Sequence, residues 1–220
     1  MYRRHFILAL ATASLARVSA ANPGGAVVTK PGNSKPLTLL VLGDSLSAEY
    51  GLKRGSGWVA LLESRLKNDR LNVVVVNASI SGDTTSGGRS RLPALLAQHH
   101  PSHLIIELGA NDALRGLPLE GTRDNLNNMA RTAQSAGAKV LLIGMQVPPN
   151  YGQDYSNRFA AVFATVAKAN KTALVPFLLK DVADAPDSLR LFQADRIHPR
   201  EEAHPTLLAN VWPELQKILK

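Results

Sequence analysis

Two short segments near opposite ends of this 220-residue chain carry residue types that together can do nucleophilic chemistry. Ser45 directly follows an apolar run at 37–42 that predicts a buried strand. Far downstream, Asp195 and His198 lie three residues apart. A serine hydroxyl is a weak nucleophile until a base takes its proton, and the imidazole that takes it needs an acid to fix its tautomer. The three residues therefore predict a Ser-His-Asp triad with Ser45 as the nucleophile.

Two further turns offer the donors that a tetrahedral oxyanion needs. Gly82 lies between a predicted strand and a predicted helix, where its backbone N–H can approach a ligand without a side chain in the way. Asn111 follows another predicted strand and carries a neutral side-chain amide. Together with the N–H of Ser45, these groups predict an oxyanion hole. Each signal alone is more typical of an ordinary turn, but four in succession, each after a strand, favour catalysis.

The elements that must position these residues alternate between strand and helix. The predicted strands lie at 37–42, 71–77, 103–108, 138–144 and 172–177, and amphipathic helical stripes lie between them and after the last one. Such alternation predicts an α/β fold with a parallel sheet covered by helices on both faces, because right-handed crossovers place the helices there. Ligands bind such sheets at the carboxyl ends of the strands, so the candidate residues should converge on one edge.

Two residues predict where helices end or break. Gly137 follows an apolar stripe at 126–133 and is placed to end that helix. The last helix should bury a stripe from Leu208 to Leu219. Pro213 falls inside that stripe, so we expect a kink or a restart there.

The N-terminus predicts export. Residues 1–5 are basic, 6–16 are apolar, and 17–20 end in small residues typical of a signal-peptidase site. We therefore expect a cleaved signal at 1–20, a flexible lead-in at 21–36, and one catalytic domain at 37–220. The protein should be periplasmic or secreted, and the Arg3-Arg4 pair leaves the twin-arginine route open.

Composition excludes other classes of protein. The chain has no cysteine, which excludes a disulfide framework, a thiolate nucleophile and a cysteine zinc site. The formal charge of +8 falls to +5 without 1–20, because that segment holds three arginines and no acid. The sequence has no cluster of basic residues interleaved with aromatic residues, so nucleic-acid binding is not expected. We expect a monomer that needs no metal or cofactor, acts on small ester or lipid substrates and makes at most transient contact with a membrane surface.

The sequences around Ser45, Gly82, Asn111 and His198 resemble the four blocks of the SGNH hydrolases, also called the GDSL family, and Asp195 completes the triad. The segments 43–48, 77–84 and 91–96 are similar to exported bacterial esterases described as thioesterase, lysophospholipase and arylesterase. The resemblance covers about residues 37–219. It implies a flavodoxin-like three-layer α/β/α sandwich with a five-stranded parallel sheet.

The resemblance also implies a mobile loop at 112–119 that lines an acyl groove. Leu114 and Leu117 would be its apolar contacts, and the alternative that they anchor the loop to the core stays open. Two residues depart from the family's pattern, since Glu49 and Ala110 stand where glycine is common. Our hypothesis is that Glu49 lies near the mouth of the site and disfavours anionic substrates. Ala110 should restrict the backbone beside the oxyanion donor.

The expected function is hydrolysis of carboxylic esters and thioesters, including aryl esters, acyl esters and lysophospholipids. A carbohydrate O-deacetylase of the same superfamily is an alternative, because the same catalytic blocks serve acetylated sugars. A flavodoxin-like binding protein without hydrolysis is a rival from another class. The first strand-to-helix turn lacks the G-x-G-x-x-G phosphate cradle that would favour this rival.

Overall fold

Five parallel strands form one sheet at the centre of the domain. The structure is a computed structural model that describes residues 35–220. The predicted signal at 1–20, and the lead-in at 21–36 except its last two residues, lie outside this range. The strands are β1 (Leu37–Gly43), β2 (Val73–Asn77), β3 (His103–Glu107), β4 (Lys139–Ile143) and β5 (Ala173–Val175). All five predicted strands are confirmed.

The strand order is β2-β1-β3-β4-β5, so the chain builds outward from β1 first in one direction and then in the other. In register, Leu40 of β1 pairs with Val76 of β2 and with Leu104 of β3. The central strands are buried along most of their length, as the continuous apolar runs predict. The order of strands reverses between β1 and β3, and a crevice for ligands opens at such a switch point.

Within residues 35–220, six helices cover the sheet. They are α1 (Trp58–Asn68), α2 (Thr85–His99), α3 (Ala110–Leu114), α4 (Leu119–Ser135), α5 (Gln153–Asn170) and α6 (His204–Ile218). Short 3₁₀ turns occupy Pro149–Tyr151, Ser188–Leu191 and Glu201–Ala203. Helices α1 and α6 pack on each other, and α4 packs on both α2 and α5. The two groups of helices enclose the sheet, which confirms the predicted α/β/α class.

The ends of two helices test the sequence signals. Gly137 lies just past α4 with φ +86°, and the next residue, Ala138, donates its N–H to the Ala133 carbonyl at 3.0 Å. This confirms the predicted glycine C-cap. Helix α6 runs unbroken from His204 to Ile218, so the helix does not restart at Pro213, and the alternative of a kink there stays a prediction. Its buried stripe keeps the helix on the sheet, and a proline removes only one helical hydrogen bond. Within residues 35–220 no helix is both long and apolar enough to cross a membrane.

Candidate active site

Ser45 lies in a tight turn just past the end of β1, at the switch point of the sheet. Asp44 builds this turn, since its Oδ1 accepts the Leu46 N–H at 3.0 Å and its carbonyl accepts the Ala48 N–H at 3.0 Å. Gly43 is required because a Cβ there would lie 2.8 Å from the Ser47 side chain. The local sequence therefore forces a sharp turn that presents Ser45.

The structure brings Ser45, His198 and Asp195 together. His198 Nε2 lies 2.8 Å from Ser45 Oγ, although the two residues are 153 positions apart. His198 Nδ1 lies 2.7 Å from Asp195 Oδ2. Because a carboxylate can only accept, Nδ1 carries the proton and Nε2 is free to accept the serine proton. The geometry is that of a nucleophile, a base and the acid that orients the base.

Asp195 is held in its ionised form. Its Oδ1 accepts the main-chain N–H of Ile197 at 2.9 Å and that of His198 at 3.0 Å. Partial burial by itself would raise the pKa of Asp195, but these two hydrogen bonds and the His198 ring outweigh it and lower the pKa to about 2. Asp195 therefore stays anionic wherever an imidazole can act as a base.

The predicted oxyanion donors lie on two neighbouring turns. Gly82 has φ +79°, in the left-handed region that favours glycine. Asn111 is on the first turn of α3, and its Nδ2 donates to Asp44 Oδ2 and to the Asp83 carbonyl, both at 3.0 Å. Both amide hydrogens therefore already have acceptors. To donate to an oxyanion, one of them must be shared or exchanged.

Sequence reasoning missed a pair of buried carboxyl groups beneath the nucleophile. Asp44 is 1% exposed and Glu107, the last residue of β3, is 0% exposed. Glu107 Oε2 accepts from Ser47 Oγ at 2.7 Å and from the Asp44 N–H at 3.3 Å. Burial, together with the charge of Asp44, raises the pKa of Glu107 well above its ordinary value. The place of Glu107 at the end of an apolar strand was the available signal.

Burial also raises the pKa of Asp44, to about 6, against the lowering effects of the Leu46 N–H, the His198 charge and the Asn111 amide. Asp44 thus contacts the nucleophile turn and an oxyanion donor at once. It is a titratable group at the centre of the site.

Two charged side chains brace the turns that carry Gly82 and Asn111. The Arg91 guanidinium pairs with Asp83 at 2.8 Å and also donates to the Ala78 carbonyl, joining α2 to the Gly82 turn. Asp112 is 2% exposed and accepts from the main-chain N–H of Thr85 at 2.9 Å and from its hydroxyl. The Asp112 carboxylate also faces the N-terminus of α2, and the positive end of the helix dipole stabilises its negative charge.

The segment predicted as a mobile acyl-groove loop is partly helical. Its first residues complete α3, and Leu119, which is buried, begins α4. Leu114 is 42% exposed and Leu117 is 38% exposed, so these side chains are not anchored in the core. Arg115 donates to the Gly82 carbonyl at 2.6 Å, which holds this segment against the oxyanion turn.

Three further apolar side chains on the loops around Ser45 are exposed. Tyr50 is 49%, Ile80 is 53% and Ile197 is 47% exposed. The Tyr50 ring lies 4.3 Å from the His198 ring, centroid to centroid. A cavity of about 760 Å³ lies elsewhere, between α2, α4 and α5, and its lining includes none of these residues. The exposed apolar side chains beside the triad are therefore separate from this polar cavity.

The Glu49 carboxylate bonds to the backbone of the residues that lead into α1. It accepts the N–H of Gly55 at 3.0 and 3.1 Å and the N–H of Gly57 at 2.8 Å. Gly57 is the N-cap of α1, so the charge faces a helix N-terminus. The hypothesis that this charge disfavours anionic substrates stays a prediction. Ala110 is the first residue of α3, a conformation that alanine adopts readily.

A serine, a histidine and an aspartate joined by hydrogen bonds at the switch point of a parallel sheet are typical of hydrolases of the α/β class that use a serine nucleophile. The comparison with known proteins narrows this class. Residues 41–205 match the model of the GDSL-like lipase/acylhydrolase family, and the chain belongs to that family.

The relatives it resembles are esterases. It is 53% identical to "Esterase TesA" of Pseudomonas aeruginosa over 182 residues, which cover 83% of this chain and 89% of that protein. It is 40% identical to "Thioesterase 1/protease 1/lysophospholipase L1" of Escherichia coli K12, covering 83% of this chain and 85% of that protein. A crystal structure of the psychrotrophic esterase EstA from Pseudoalteromonas sp., inhibited by monoethylphosphonate, matches with a TM-score of 0.77 at 40% identity, covering 83% of this chain and 98% of that one.

Proposed function

We propose that this protein is a serine esterase that hydrolyses carboxylic esters and thioesters through an acyl-enzyme on Ser45. The observation that carries the proposal is the continuous hydrogen-bonded path from Ser45 through His198 to Asp195, with distances of 2.8 and 2.7 Å. The esterase relatives support the same reaction class.

In the first half of the reaction, His198 Nε2 takes the proton of Ser45 Oγ as the oxygen attacks the acyl carbon. The Asp195 carboxylate stabilises the imidazolium that forms. His198 then gives the proton to the leaving alcohol or thiol, and the acyl group stays on Ser45. Water, activated by the same imidazole, attacks the acyl-enzyme and releases the acid.

The negative oxygen of each tetrahedral intermediate would meet the N–H groups of Ser45 and Gly82 and the side-chain amide of Asn111. Asn111 would turn one hydrogen from Asp44 or from the Asp83 carbonyl toward that oxygen. An acceptor with a full charge competes well for this hydrogen. Donors preorganised in this way stabilise the transition state more than the neutral ester.

The substrate class follows from the apolar side chains beside the triad. Leu114, Leu117, Ile80 and Ile197 would contact an acyl chain, and Tyr50 would contact the group next to His198. The relatives include an arylesterase of Vibrio mimicus and the lysophospholipase named above, which supports aryl esters and single-chain lipids as substrates. We propose a monomer that is exported to the periplasm or medium and makes at most transient contact with a membrane surface. The basic and apolar sequence of residues 1–20 supports export.

The nucleophile is tested with Ser45→Ala and a chromogenic p-nitrophenyl ester. We expect turnover to disappear while circular dichroism and Tm stay unchanged, and wild type but not Ser45→Ala should react covalently with a phosphonate ester. Appreciable activity in the variant would refute the assignment of Ser45. A protein that neither turns over esters nor reacts with the phosphonate would be a binding protein.

A series of p-nitrophenyl esters from acetyl to long acyl separates the esterase from the carbohydrate O-deacetylase. The exposed leucines predict that kcat/KM does not fall sharply beyond acetyl. A strict acetyl preference would favour the deacetylase.

A further inference from the structure

The proposed proton transfer joins two loops that are distant in the sequence. We call residues 44–57 the nucleophile loop and residues 191–200 the histidine loop. Across the described part of the chain, no main-chain hydrogen bond joins one loop to the other. The distance of 2.8 Å between Ser45 Oγ and His198 Nε2 therefore depends on side chains that cross from one loop to the other.

Gln193 is such a side chain. Its Nε2 donates one hydrogen to the Tyr50 carbonyl in the nucleophile loop at 2.9 Å. It donates the other to the Pro199 carbonyl in the histidine loop at 3.1 Å. The main-chain N–H of Gln193 donates to the His198 carbonyl at 2.8 Å. One residue thus bonds to the backbone of His198, of Pro199 and of Tyr50 in the nucleophile loop.

The contact is closely packed as well as hydrogen-bonded. Gly51 has φ +69°, and a Cβ built on it would lie 2.1 Å from Gln193 Oε1. The absence of a side chain at Gly51 is therefore what lets the Gln193 amide reach the Tyr50 carbonyl. The side chain of Tyr50 also reaches the histidine loop. Its ring lies against the His198 ring, with an angle of 37° between the two ring planes. The Gln193 amide and the Tyr50 ring together hold the two loops against each other.

We propose that Gln193 is a positioning residue for the hydrolysis, a tether that keeps Ser45 Oγ within hydrogen-bond reach of His198 Nε2. This inference rests on the proposed function. The Gln193 amide bonds to main-chain carbonyls and not to the Ser45 hydroxyl or the His198 ring, so it acts through the loops. Nucleophile and base work only when they are held close to the reactive geometry, and a misplacement of about 1 Å costs on the order of 10²-fold in rate.

The test compares Gln193→Ala with Asn210→Ala. Asn210 is a matched control, because its amide also bridges two main-chain carbonyls, those of Leu178 at 2.9 Å and Lys180 at 2.8 Å, away from the triad. Both variants lose the same chemical group and should lose similar amounts of Tm. We expect Gln193→Ala to lower kcat by about 10- to 100-fold with KM nearly unchanged, whereas Asn210→Ala keeps kcat within about twofold.

The rate at which a phosphonate ester labels Ser45 gives a readout that a structural role would not move. This reaction needs the Ser45–His198 pair, so its rate should fall in Gln193→Ala by about the same factor as kcat, measured well below Tm. The labelling rate of Asn210→Ala should match wild type. If Gln193→Ala loses Tm like the control but keeps wild-type kcat and labelling, the tether proposal is overturned.

Gly51→Ala tests the same contact with the glutamine present, in case Gln193→Ala does not fold. Its new Cβ would displace the Gln193 amide, so kcat and labelling should fall in this variant too. Unchanged rates in a folded Gly51→Ala would contradict the proposal. Failure of the tether is distinct from failure of the esterase assignment, since only the latter leaves Ser45→Ala active.

Discussion

Replacement of Glu49 tests how this chain stabilises its nucleophile loop. Glu49 has φ +60°, a left-handed conformation that costs a side-chain-bearing residue about 1 kcal/mol relative to glycine. Its carboxylate offsets that cost by accepting the N–H of Gly55 and of Gly57 at the start of α1. Each buried hydrogen bond to a charged group contributes about 1.5–3 kcal/mol. Because the Glu49 carboxylate is partly exposed, we expect its hydrogen bonds together to contribute about 2 kcal/mol.

These two magnitudes predict an order of stability. Glu49→Ala keeps the backbone strain and loses the carboxylate, so it should lower the free energy of unfolding by about 2 kcal/mol. Glu49→Gly loses the carboxylate but relieves the strain, so it should lower it by about 1 kcal/mol. For a domain of this size, 1 kcal/mol corresponds to about 2–4 °C in Tm. Thermal unfolding should therefore rank wild type above the glycine variant, and the glycine variant above the alanine variant.

Arg70 provides the matched control. It has φ +55°, and its side chain is exposed and makes no hydrogen bond to any of residues 35–220. Arg70→Gly should therefore raise Tm, because only the strain is removed. A Glu49→Gly variant as stable as wild type would show that the carboxylate does not hold the loop, and the reasoning from its hydrogen bonds would be refuted.

The same variant settles the earlier hypothesis about charge at the mouth of the site. Because the Glu49 carboxylate faces the Gly55 and Gly57 amides, its removal should leave the ratio of kcat/KM for anionic and neutral esters unchanged. A marked gain for anionic esters in Glu49→Gly would support the hypothesis that the Glu49 charge disfavours anionic substrates.

Two further predictions concern the oxyanion donor and the carboxyl group that holds it. Asn111→Ala should lower kcat by about 10²–10³ with little change in KM, as steady-state kinetics on a p-nitrophenyl ester will show, and a loss below about fivefold would remove Asn111 from the oxyanion hole. The pKa of Asp44 is raised from 3.8 to about 6 in the folded protein, so its contribution to stability is full below pH 3.8 and is lost as pH rises through about 6. Asp44→Asn should abolish that loss, and urea unfolding at pH 4 to 7 should give a flatter stability profile than wild type. Parallel profiles for the two proteins would contradict the raised pKa.

Local patterns in the sequence predicted most of the fold. The apolar runs of β1 and β3 predicted strands buried on both faces, and Gly137 marks the end of α4 as expected. These features depend on neighbours in the chain, where side-chain periodicity and backbone preference act directly. At Pro213 one of the two expected outcomes, a restart of the helix, does not occur, because packing of the α6 stripe on the sheet outweighs one lost hydrogen bond.

The contacts of Glu107 and Gln193, which sequence reasoning missed, join distant segments. Ser47 and Glu107 are 60 residues apart, and Gln193 and Tyr50 are 143 apart. Glu107 lies in a strand among apolar neighbours. No local pattern indicates that its carboxyl oxygen accepts a hydrogen bond from a serine just past the end of another strand. The side chain of Glu49 is similar, since its partners depend on the path of the loop that follows it.

Residue types and their order along the chain predicted the proposed chemistry: a serine, a histidine and an aspartate in turns after strands, with a glycine and an asparagine as donors. Residue type carries this prediction, because only certain side chains can attack, take a proton or donate to an oxyanion. The folded structure was needed to show that Ser45 and His198 meet at 2.8 Å, that Asp44 and Glu107 are buried, and that the Glu49 carboxylate faces α1. Distances and pKa values depend on which segments the parallel sheet brings to one edge and on how much water they exclude.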